Sequence, residues 1–186
     1  MDILPLTQLE DNFNQNWGNS GYATGKVFEV ATIYDPDKVI FHIYESDRHY
    51  EKQYQIKAEQ IFQFNQIIKH GHSLGAFIDN QLVGILIGEI RQWNNSFYIE
   101  TILVSERHRR NGVGGALIKQ AIKECKIYNC RLIELETQNT NFPAVQFYLQ
   151  QGFRITGINS MLYNDESTDE IALFMTHENK NFGAGT

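Results

Sequence analysis

The arginine- and glycine-rich loop within residues 104–118 has the residue types best suited to binding an anion. Gly112, Gly114 and Gly115 carry no side chain, so the backbone there can approach a ligand closely. A helix that begins at this loop directs its unpaired N–H groups and the positive end of its dipole at that ligand. The basic run at residues 107–110 either meets the same anion or only coats the surface. The spacing therefore predicts a phosphate-binding loop.

A strand and two helices are predicted to position this loop. Alternating apolar residues at 97–104 are typical of a strand, and residues 113–128 have the periodicity of an amphipathic helix. One apolar stripe of that helix comprises Leu117, Ile118, Ala121, Ile122 and Cys125. A further helix is predicted over residues 141–151, with Asn141 as its N-cap and Pro143 in its first turn.

The rest of the chain reads mostly as strands, with one more amphipathic helix predicted over residues 58–69. Strands are predicted over residues 27–34, 39–44, 73–78, 81–90, 131–137, 153–163 and 170–175. Turn-forming residues at 35–37 and 79–80 suit tight hairpins. Residues 1–26 are predicted to form a loosely ordered arm or cap, and residues 177–186 are predicted to form a frayed tail. This order indicates a mixed α/β fold with antiparallel hairpins around one parallel β-α-β crossover.

Length and composition narrow the classes of protein. A chain of 186 residues with 42% hydrophobic content suits a single globular domain over residues 1–186. The net charge of -6 disfavours non-specific binding to nucleic acid. The chain has neither a signal-peptide pattern nor an apolar run of the ~20 residues needed to span a bilayer, so we expect a cytoplasmic protein with no membrane partner.

Several kinds of catalytic site are disfavoured by the same reading. Cys125 and Cys130 have no companion pair for a zinc site and are expected to be reduced thiols in or near the core. His70 and His72 lack carboxylate or cysteine company, so we expect no functional metal. The loop at residues 104–118 fits neither a Walker loop nor a dinucleotide fingerprint, and the serine-hydrolase elbow is absent.

Two segments carry a resemblance to a known family. Residues 109–114, Arg-Arg-Asn-Gly-Val-Gly, resemble the Arg/Gln-x-x-Gly-x-Gly/Ala signature of the GNAT superfamily of N-acetyltransferases. Residues 141–153 resemble the superfamily's Asn-x-x-Ala-x-x-x-Tyr-x-x-x-Gly-Phe motif. Residues 73–176 are similar to the streptothricin acetyltransferase branch, and residues 1–70 match it weakly.

The resemblance implies a GNAT fold, with a mostly antiparallel twisted sheet, a parallel splayed central pair of strands and flanking helices. It implies acetyl-CoA as a co-substrate, without a metal, bound by a core over residues 73–176. The implied cofactor-binding residues are Ile102, Leu103, Val104, Arg109, Arg110, Asn111, Gly112, Val113, Gly114, Gly115, Asn141 and Tyr148. It also implies direct acetyl transfer to an amine in a ternary complex.

Three residues are candidates for the catalytic roles. Tyr148 stands where the family keeps the acid that protonates the departing thiolate, although core packing also explains it. Glu100 stands where many members keep a glutamate that acts as the general base. A glutamate in a central strand is also not expected to be buried without a partner. Glu136 could bind the ammonium group of the acceptor or act as a base through water. Glu100 could instead be purely structural, whereas Glu134, which alternates with Glu136, is expected to be an exposed strand-end charge.

The acceptor is expected to be a small-molecule amine that resembles streptothricin. Tyr50, Tyr54 and Glu136 are candidates to bind it, although the tyrosines could equally be packing residues. The elements at residues 27–72 would shape the acceptor side. A polyamine, an aminoglycoside or a protein amine are alternative acceptors, and a non-catalytic acyl-CoA sensor is an alternative function. Either a monomer or a homodimer is compatible with the sequence.

Overall fold

The computed structural model describes residues 1–163, 170–180 and 182–183. It contains the helices α1 (Ala58–Ile68), α2 (Val113–Ile127) and α3 (Phe142–Gln150). Its strands are β1 (Asp2–Pro5), β2 (Tyr22–Asp35), β3 (Lys38–Lys52), β4 (Leu74–Ile78), β5 (Gln81–Arg91), β6 (Ser96–Val104), β7 (Leu132–Gln138), β8 (Arg154–Asn159) and β9 (Ala172–Glu178).

The chain divides into two compact units. Unit 1 consists of Met1–Ser20, Gln53–Leu135 and the residues from Thr176 on, and unit 2 consists of Gly21–Lys52 and Glu136–Met175. Strands β7 and β9 contribute residues to both units.

Unit 1 is a mixed sheet with the strand order β1-β4-β5-β6-β7. The first three pairs are antiparallel, whereas β6 and β7 are parallel, with Ser96–Ile99 in register with Leu132–Leu135. Helix α2 makes the crossover between these two parallel strands. The helix packs closely on the sheet, because a Cβ atom on Gly84 would lie 2.9 Å from Val113 Cγ1. The mixed α/β class predicted from the sequence is confirmed.

The helix predicted over residues 113–128 is confirmed, with its apolar stripe towards the core. Leu117, Ile118, Ala121 and Cys125 are buried and Ile122 is half-buried. On the opposite side the lysines at 119, 123 and 126 are exposed. The helix over Ala58–Ile68 also matches its prediction, and it buries Ile61, Phe64 and Ile68.

The N-terminal residues are packed, not loosely ordered as the sequence had suggested. Strand β1 pairs with β4, from Asp2 opposite Phe77 to Pro5 opposite Leu74. Leu6, Leu9 and Trp17 lie in a core cluster of unit 1 that also contains Ile61 and Ile85. The weak apolar periodicity of residues 1–20 did not reveal this, because the buried side chains of Leu6, Leu9 and Trp17 lie outside helices and strands.

Unit 2 contains the hairpin β2–β3, the helix α3 and the strand order β7-β9-β8. Asp35 pairs with Lys38, so residues 36–37 form a two-residue turn, as the hairpin prediction required. The hairpin is longer than predicted, because pairing continues to Tyr22 opposite Lys52. The polar residues at 45–52 therefore belong to a strand, whose backbone hydrogen bonds need no apolar side chains.

The C-terminal strand also extends beyond its prediction. Strand β9 reaches Glu178, two residues into the segment predicted as a frayed tail. Beyond it, Asn179 N–H donates to the Arg131 carbonyl at 3.0 Å, and its side-chain amide donates to the Cys130 carbonyl at 2.8 Å. Residues 181 and 184–186 of the predicted tail lie outside the described residues.

Candidate active site

The anion-binding loop predicted from the sequence is a turn between β6 and α2 in unit 1. We call residues 104–115 the glycine turn. A short 3-10 helix, Glu106–His108, follows the strand, and Gly112 has a φ of +81°, a left-handed conformation that favours glycine. Ala116 N–H donates to the Gly112 carbonyl at 3.0 Å, which is the first hydrogen bond of the helix. The N–H groups of the residues in between therefore have no acceptor within the helix and suit a bound anion.

Basic side chains of the turn have different environments. Arg109 Nε donates to the Val104 carbonyl at 3.1 Å, and its guanidinium also donates to the Asn19 carbonyl. Arg109 thus stabilises the turn through hydrogen bonds to backbone carbonyls. Arg110 and Asn111, by contrast, are exposed. A phosphate contact through Arg109 stays a prediction, and the backbone N–H groups are the better supported anion donors.

Glu100 lies at an irregularity of β6. Ile87 pairs with Thr101 and Gly88 pairs with Ile99, so Glu100 is the extra residue of a β-bulge. It is exposed. The expectation that a buried charge at this position needs a partner therefore does not apply. The three residues after Thr101 are half-buried and pair with β5.

Tyr148 lies in unit 2 on α3, a helix that begins as the sequence predicted. The Asn141 side chain accepts a hydrogen bond from Ala144 N–H at 3.2 Å and so caps the helix. Tyr148 is buried, and its ring packs 5.2 Å from that of Phe147 and 5.7 Å from that of Phe153. Burial and the charge of Glu136 raise the pKa of Tyr148 above its usual value. The hydroxyl therefore stays protonated at neutral pH, the form that a proton donor needs.

Glu136 interacts with two tyrosines of unit 2, with Tyr148 through its charge and with Tyr163 through a hydrogen bond. The Tyr163 hydroxyl donates a hydrogen bond to Glu136 Oε1. Burial, this hydrogen bond and the charge of Glu136 raise the pKa of Tyr163. Glu134, two residues earlier, instead accepts a hydrogen bond from the Asn94 side chain at 2.9 Å in unit 1. Glu134 and Glu136 of β7 therefore have different surroundings. Glu134 has a structural partner in Asn94, whereas Glu136 is the candidate functional carboxylate.

A second carboxylate of unit 2, Glu170, was not singled out from the sequence. Its side chain is only 2% exposed and lies 2.6 Å from Lys52 Nζ. Three hydroxyl groups contact the same carboxylate, from Tyr50 at 3.1 Å and from Tyr22 and Thr140 at 3.3 Å each. We call these five residues the Glu170 cluster. A buried carboxylate is tolerated only when it is paired and hydrogen-bonded, and this one is both.

The cluster orients its aromatic members. The Tyr22 and Tyr50 rings are stacked, with centroids 6.0 Å apart, and the Tyr22 hydroxyl is 2.7 Å from Thr140 Oγ1. Burial and the charge of Glu170 raise the pKa of Tyr22. One sequence signal could have revealed the cluster: Tyr50 and Lys52 alternate on one face of β3, and a polar face on a long strand needs a partner.

Of the two tyrosines proposed to bind the acceptor, only Tyr50 belongs to this cluster. Tyr54 lies in unit 1, where its hydroxyl accepts a hydrogen bond from the Gln60 side chain. It also packs against the core cluster that contains Trp17. These contacts agree with the packing alternative considered from the sequence, and a role of Tyr54 in binding the acceptor stays a prediction. Tyr44 is 44% exposed beside His42.

The remaining candidate groups are accounted for by other contacts. His70 Nδ1 lies 3.2 Å from Glu89, and the His72 ring packs edge-on against Tyr128 at 4.6 Å. Within residues 1–163, 170–180 and 182–183, no three or more His, Cys, Asp or Glu side chains are grouped to hold a metal ion. Cys125 is buried, and burial raises the pKa of its thiol to about 12. The helices of the described chain include none long and apolar enough to cross a membrane.

Comparison with known proteins agrees with the loop and helix geometry. The sequence profile of the acetyltransferase (GNAT) family matches residues 30–153, which is more than half of the chain. This chain belongs to the acetyltransferase (GNAT) family. The matched region includes the glycine turn, the bulge residue Glu100 and Tyr148.

Proteins with sequences similar to this chain include streptothricin acetyltransferases. One from Escherichia coli is 39% identical over 103 residues, which cover 54% of this chain and 58% of the relative. Streptothricin acetyltransferase A of Bacillus subtilis (strain 168) is 37% identical over 100 residues, covering 53% of this chain and 57% of the relative. The matched segment thus spans little more than half the length of these two relatives.

A solved structure matches over nearly the whole chain. It is that of a protein assigned as a streptothricin acetyltransferase from Bacillus anthracis str. Ames, in complex with acetyl coenzyme A. It is 27% identical, has a TM-score of 0.70 and covers 96% of this chain and 100% of its own. The fold predicted from the resemblance, a mixed and mostly antiparallel sheet with helices, is confirmed.

Proposed function

We propose that this chain is an acetyl-CoA-dependent N-acetyltransferase that acetylates a primary amine of a small molecule. The observation that carries the proposal is a buried tyrosine, Tyr148, whose pKa is raised by burial and by the charge of Glu136, in a chain of the acetyltransferase (GNAT) family. A module that only binds acyl-CoA needs no such proton donor. The complex of the Bacillus anthracis protein with acetyl coenzyme A supports the choice of acyl donor.

The glycine turn fits the pyrophosphate of acetyl-CoA. Gly112 has no atom within 4 Å of the place where a Cβ would stand, and the first turn of α2 offers backbone N–H groups. On this proposal, the amides of Asn111 to Gly115 bind the pyrophosphate and a backbone N–H of Ile102 to Val104 polarises the thioester carbonyl. Acetyl-CoA supplies the activated acyl group when bound.

Acid–base catalysis is needed on both sides of the reaction. An alkylammonium with a pKa of ~10.4 must lose a proton before it attacks, which costs about 4–5 kcal/mol at pH 7. Glu136 or Glu100 accepts that proton directly or through a water. The amine nitrogen then forms the C–N bond, the C–S bond breaks, and the Tyr148 hydroxyl donates its proton to the departing thiolate. The second proton, which the nitrogen loses as the amide forms, restores the Tyr148 hydroxyl. Glu136 is preferred over Glu100, because Tyr163 orients its carboxylate whereas Glu100 is exposed.

The preferred acceptor is a streptothricin-like amine. The names of the Escherichia coli and Bacillus subtilis relatives support it. Chemical support comes from unit 2, where the Glu136 carboxylate accepts a hydrogen bond from Tyr163, since carboxylates and tyrosine rings are groups that recognise an organic cation. Both hydrogen-bonded carboxylates and aromatic faces favour an ammonium over a neutral nucleophile.

An acetylation panel tests the proposal. The purified chain is first tested for acetyl-CoA binding by thermal shift, and thiol release is then followed with streptothricin, spermidine, an aminoglycoside and a lysine peptide. We expect release that is fastest with streptothricin. Fastest release with another amine would reassign the acceptor. Stabilisation by acetyl-CoA without release on any amine would favour the sensor function.

The two candidate bases are separated by matched variants. Glu136→Gln and Glu100→Gln both remove one carboxylate and keep its size. We expect the Glu136 variant to lower kcat, with a loss that shrinks at higher pH as the amine deprotonates unaided, and the Glu100 variant to change kcat little. The opposite ranking would assign the base to Glu100.

A further inference from the structure

The glycine turn of unit 1 is hydrogen-bonded to a loop that lies far earlier in the sequence. We call residues 17–20 the Asn19 loop. Glu106 N–H donates to the Trp17 carbonyl at 2.8 Å, and the Glu106 carboxylate accepts a hydrogen bond from Asn19 N–H at 3.3 Å. The Arg109 guanidinium donates to the carbonyl of Asn19. These hydrogen bonds connect the loop to the first half of the turn.

The Asn19 loop is anchored by contacts that do not involve the glycine turn. Trp17 is buried in the core cluster of unit 1, where its ring packs edge-on against Phe13 at 5.2 Å. The Asn19 side-chain oxygen accepts a hydrogen bond from Tyr54 N–H at 3.2 Å, and Ser20 N–H donates to the Tyr54 carbonyl at 3.1 Å. Because the core holds the loop in place, the loop can fix the position of the turn.

Glu106 is the residue of the turn whose chemistry least suits a bound anion. A negative charge close to a bound anion weakens its binding. Anion binding therefore does not explain the carboxylate, whereas the hydrogen bond from Asn19 N–H does. This bond and the one from Glu106 N–H to Trp17 attach both the side chain and the backbone of Glu106 to the same loop.

Gly18 allows the Glu106 carboxylate to approach the loop. Its φ is +75°, and a Cβ atom there would overlap the carboxylate and lie 3.0 Å from Glu106 Cβ. Any larger residue at this position would therefore displace the Glu106 side chain from Asn19 N–H. The close contact of loop and turn thus depends on the absence of a side chain at one position of the loop.

We propose that Glu106 is a positioning residue for the acyl donor. Through its hydrogen bonds to the Asn19 loop, it holds the glycine turn in the conformation in which the backbone N–H groups of residues 111–115 can bind one anion. A turn that is ordered before binding loses less conformational entropy when the ligand binds, so its affinity is higher. The identity of that anion, the pyrophosphate of acetyl-CoA, rests on the proposed function.

The first test compares Glu106→Ala with Glu106→Gln. Both variants remove the negative charge, so the relief of repulsion is the same in each, but only glutamine keeps an acceptor for Asn19 N–H. Calorimetric titration with acetyl-CoA measures the Kd. We expect the Kd of Glu106→Ala to be at least ~5-fold higher than that of Glu106→Gln, the change expected for one net hydrogen bond.

The second test uses two glycines of unit 1 that both have a positive φ. Gly18→Ala and Gly71→Ala introduce a similar backbone strain, at a φ of +75° and +84°. A Cβ on Gly71 meets nothing within 4 Å, so only the change at Gly18 displaces Glu106. We expect Gly18→Ala to raise the Kd for acetyl-CoA at least ~5-fold and Gly71→Ala to raise it less than ~2-fold.

Amide hydrogen exchange gives a readout that needs no ligand. In Glu106→Ala, the amides of residues 104–112 should exchange at least ~5-fold faster than in Glu106→Gln, while those of β4 and β5 keep their rates. Equal exchange in the two variants, or equal Kd values, would overturn the positioning role. A wild type that does not bind acetyl-CoA would overturn the proposed function instead, and the exchange comparison would still decide whether Glu106 holds the turn.

Discussion

The glycine turn of unit 1 and the Glu170 cluster of unit 2 both organise charge, but the chain builds them in different ways. The turn is one continuous stretch in which the candidate anion donors are backbone N–H groups that follow a left-handed glycine. The cluster brings together side chains that are far apart in the sequence. They are Tyr22 of β2, Tyr50 and Lys52 of β3, Thr140 before α3 and Glu170 before β9. A site made of backbone can be recognised from local sequence, whereas a site made of distant side chains cannot.

We therefore expect the two regions to differ in their sensitivity to mutation. A backbone site tolerates most side-chain changes but depends on the few positions that need an unusual φ. A buried side-chain cluster depends on each member, because the removal of one leaves its partners unsatisfied.

Glu170→Ala should lower the free energy of unfolding by about 3 kcal/mol. The change removes the carboxylate that pairs with Lys52 and takes one acceptor from each of three hydroxyl groups. Urea unfolding measures the loss, and Glu10→Ala, a change at an exposed glutamate, should stay within ~0.5 kcal/mol. A loss below 1 kcal/mol in the Glu170 variant would mean that the cluster is not a stabilising network.

Tyr148→Phe should lower kcat by well over tenfold and leave the Kd for acetyl-CoA nearly unchanged. The variant keeps the ring packing against Phe147 and Phe153 but loses the hydroxyl that donates to the thiolate. Steady-state kinetics and calorimetric titration measure the two quantities. Equal turnover in the variant would refute the acid role, and Leu149→Ala, at a neighbouring exposed position of α3, serves as a control for the helix.

Gly112→Ala should weaken acetyl-CoA binding about fivefold to tenfold. Nothing within 4 Å obstructs the new Cβ, so the cost comes from the φ of +81°, roughly 1 kcal/mol for an L-residue. Gly25→Ala is the matched control, since its Cβ also meets open space but the backbone has no positive φ. If both variants bind acetyl-CoA equally well, the backbone geometry of the turn is not what holds the anion.

The smallest effect concerns alkaline pH. Because the pKa of Tyr22 is raised in the folded chain, its stabilising contribution is fully present below pH ~10, the unfolded value, and is lost as the pH rises above it. Tyr22→Phe should therefore make the fall in stability above pH 10 shallower in denaturant titrations. Tyr34→Phe, at a residue that is 78% exposed, should leave the slope as it is. Identical slopes of stability against pH for both variants would show that Tyr22 does not cause the pH dependence.

Some elements were predictable because their causes are local. The stripe of α2, the Asn141 cap and the two-residue turn at residues 79–80 are confirmed, the last with positive φ at both positions. Each depends on residues within a few positions of each other. The length of β3 was not predictable in this way, because its polar half is held by pairing with β2.

What the sequence determined by itself was local: a glycine-rich turn at a helix start, an arginine beside it and, in a separate motif, a tyrosine on a capped helix. Tertiary structure decided the rest. It turned Arg109 towards carbonyls, placed Glu100 on an exposed bulge, and brought Glu170 to Lys52 and Tyr50 across more than 100 residues. The physical reason is that backbone conformation depends on near neighbours, whereas the burial of a charge depends on whichever distant partners the fold brings to it.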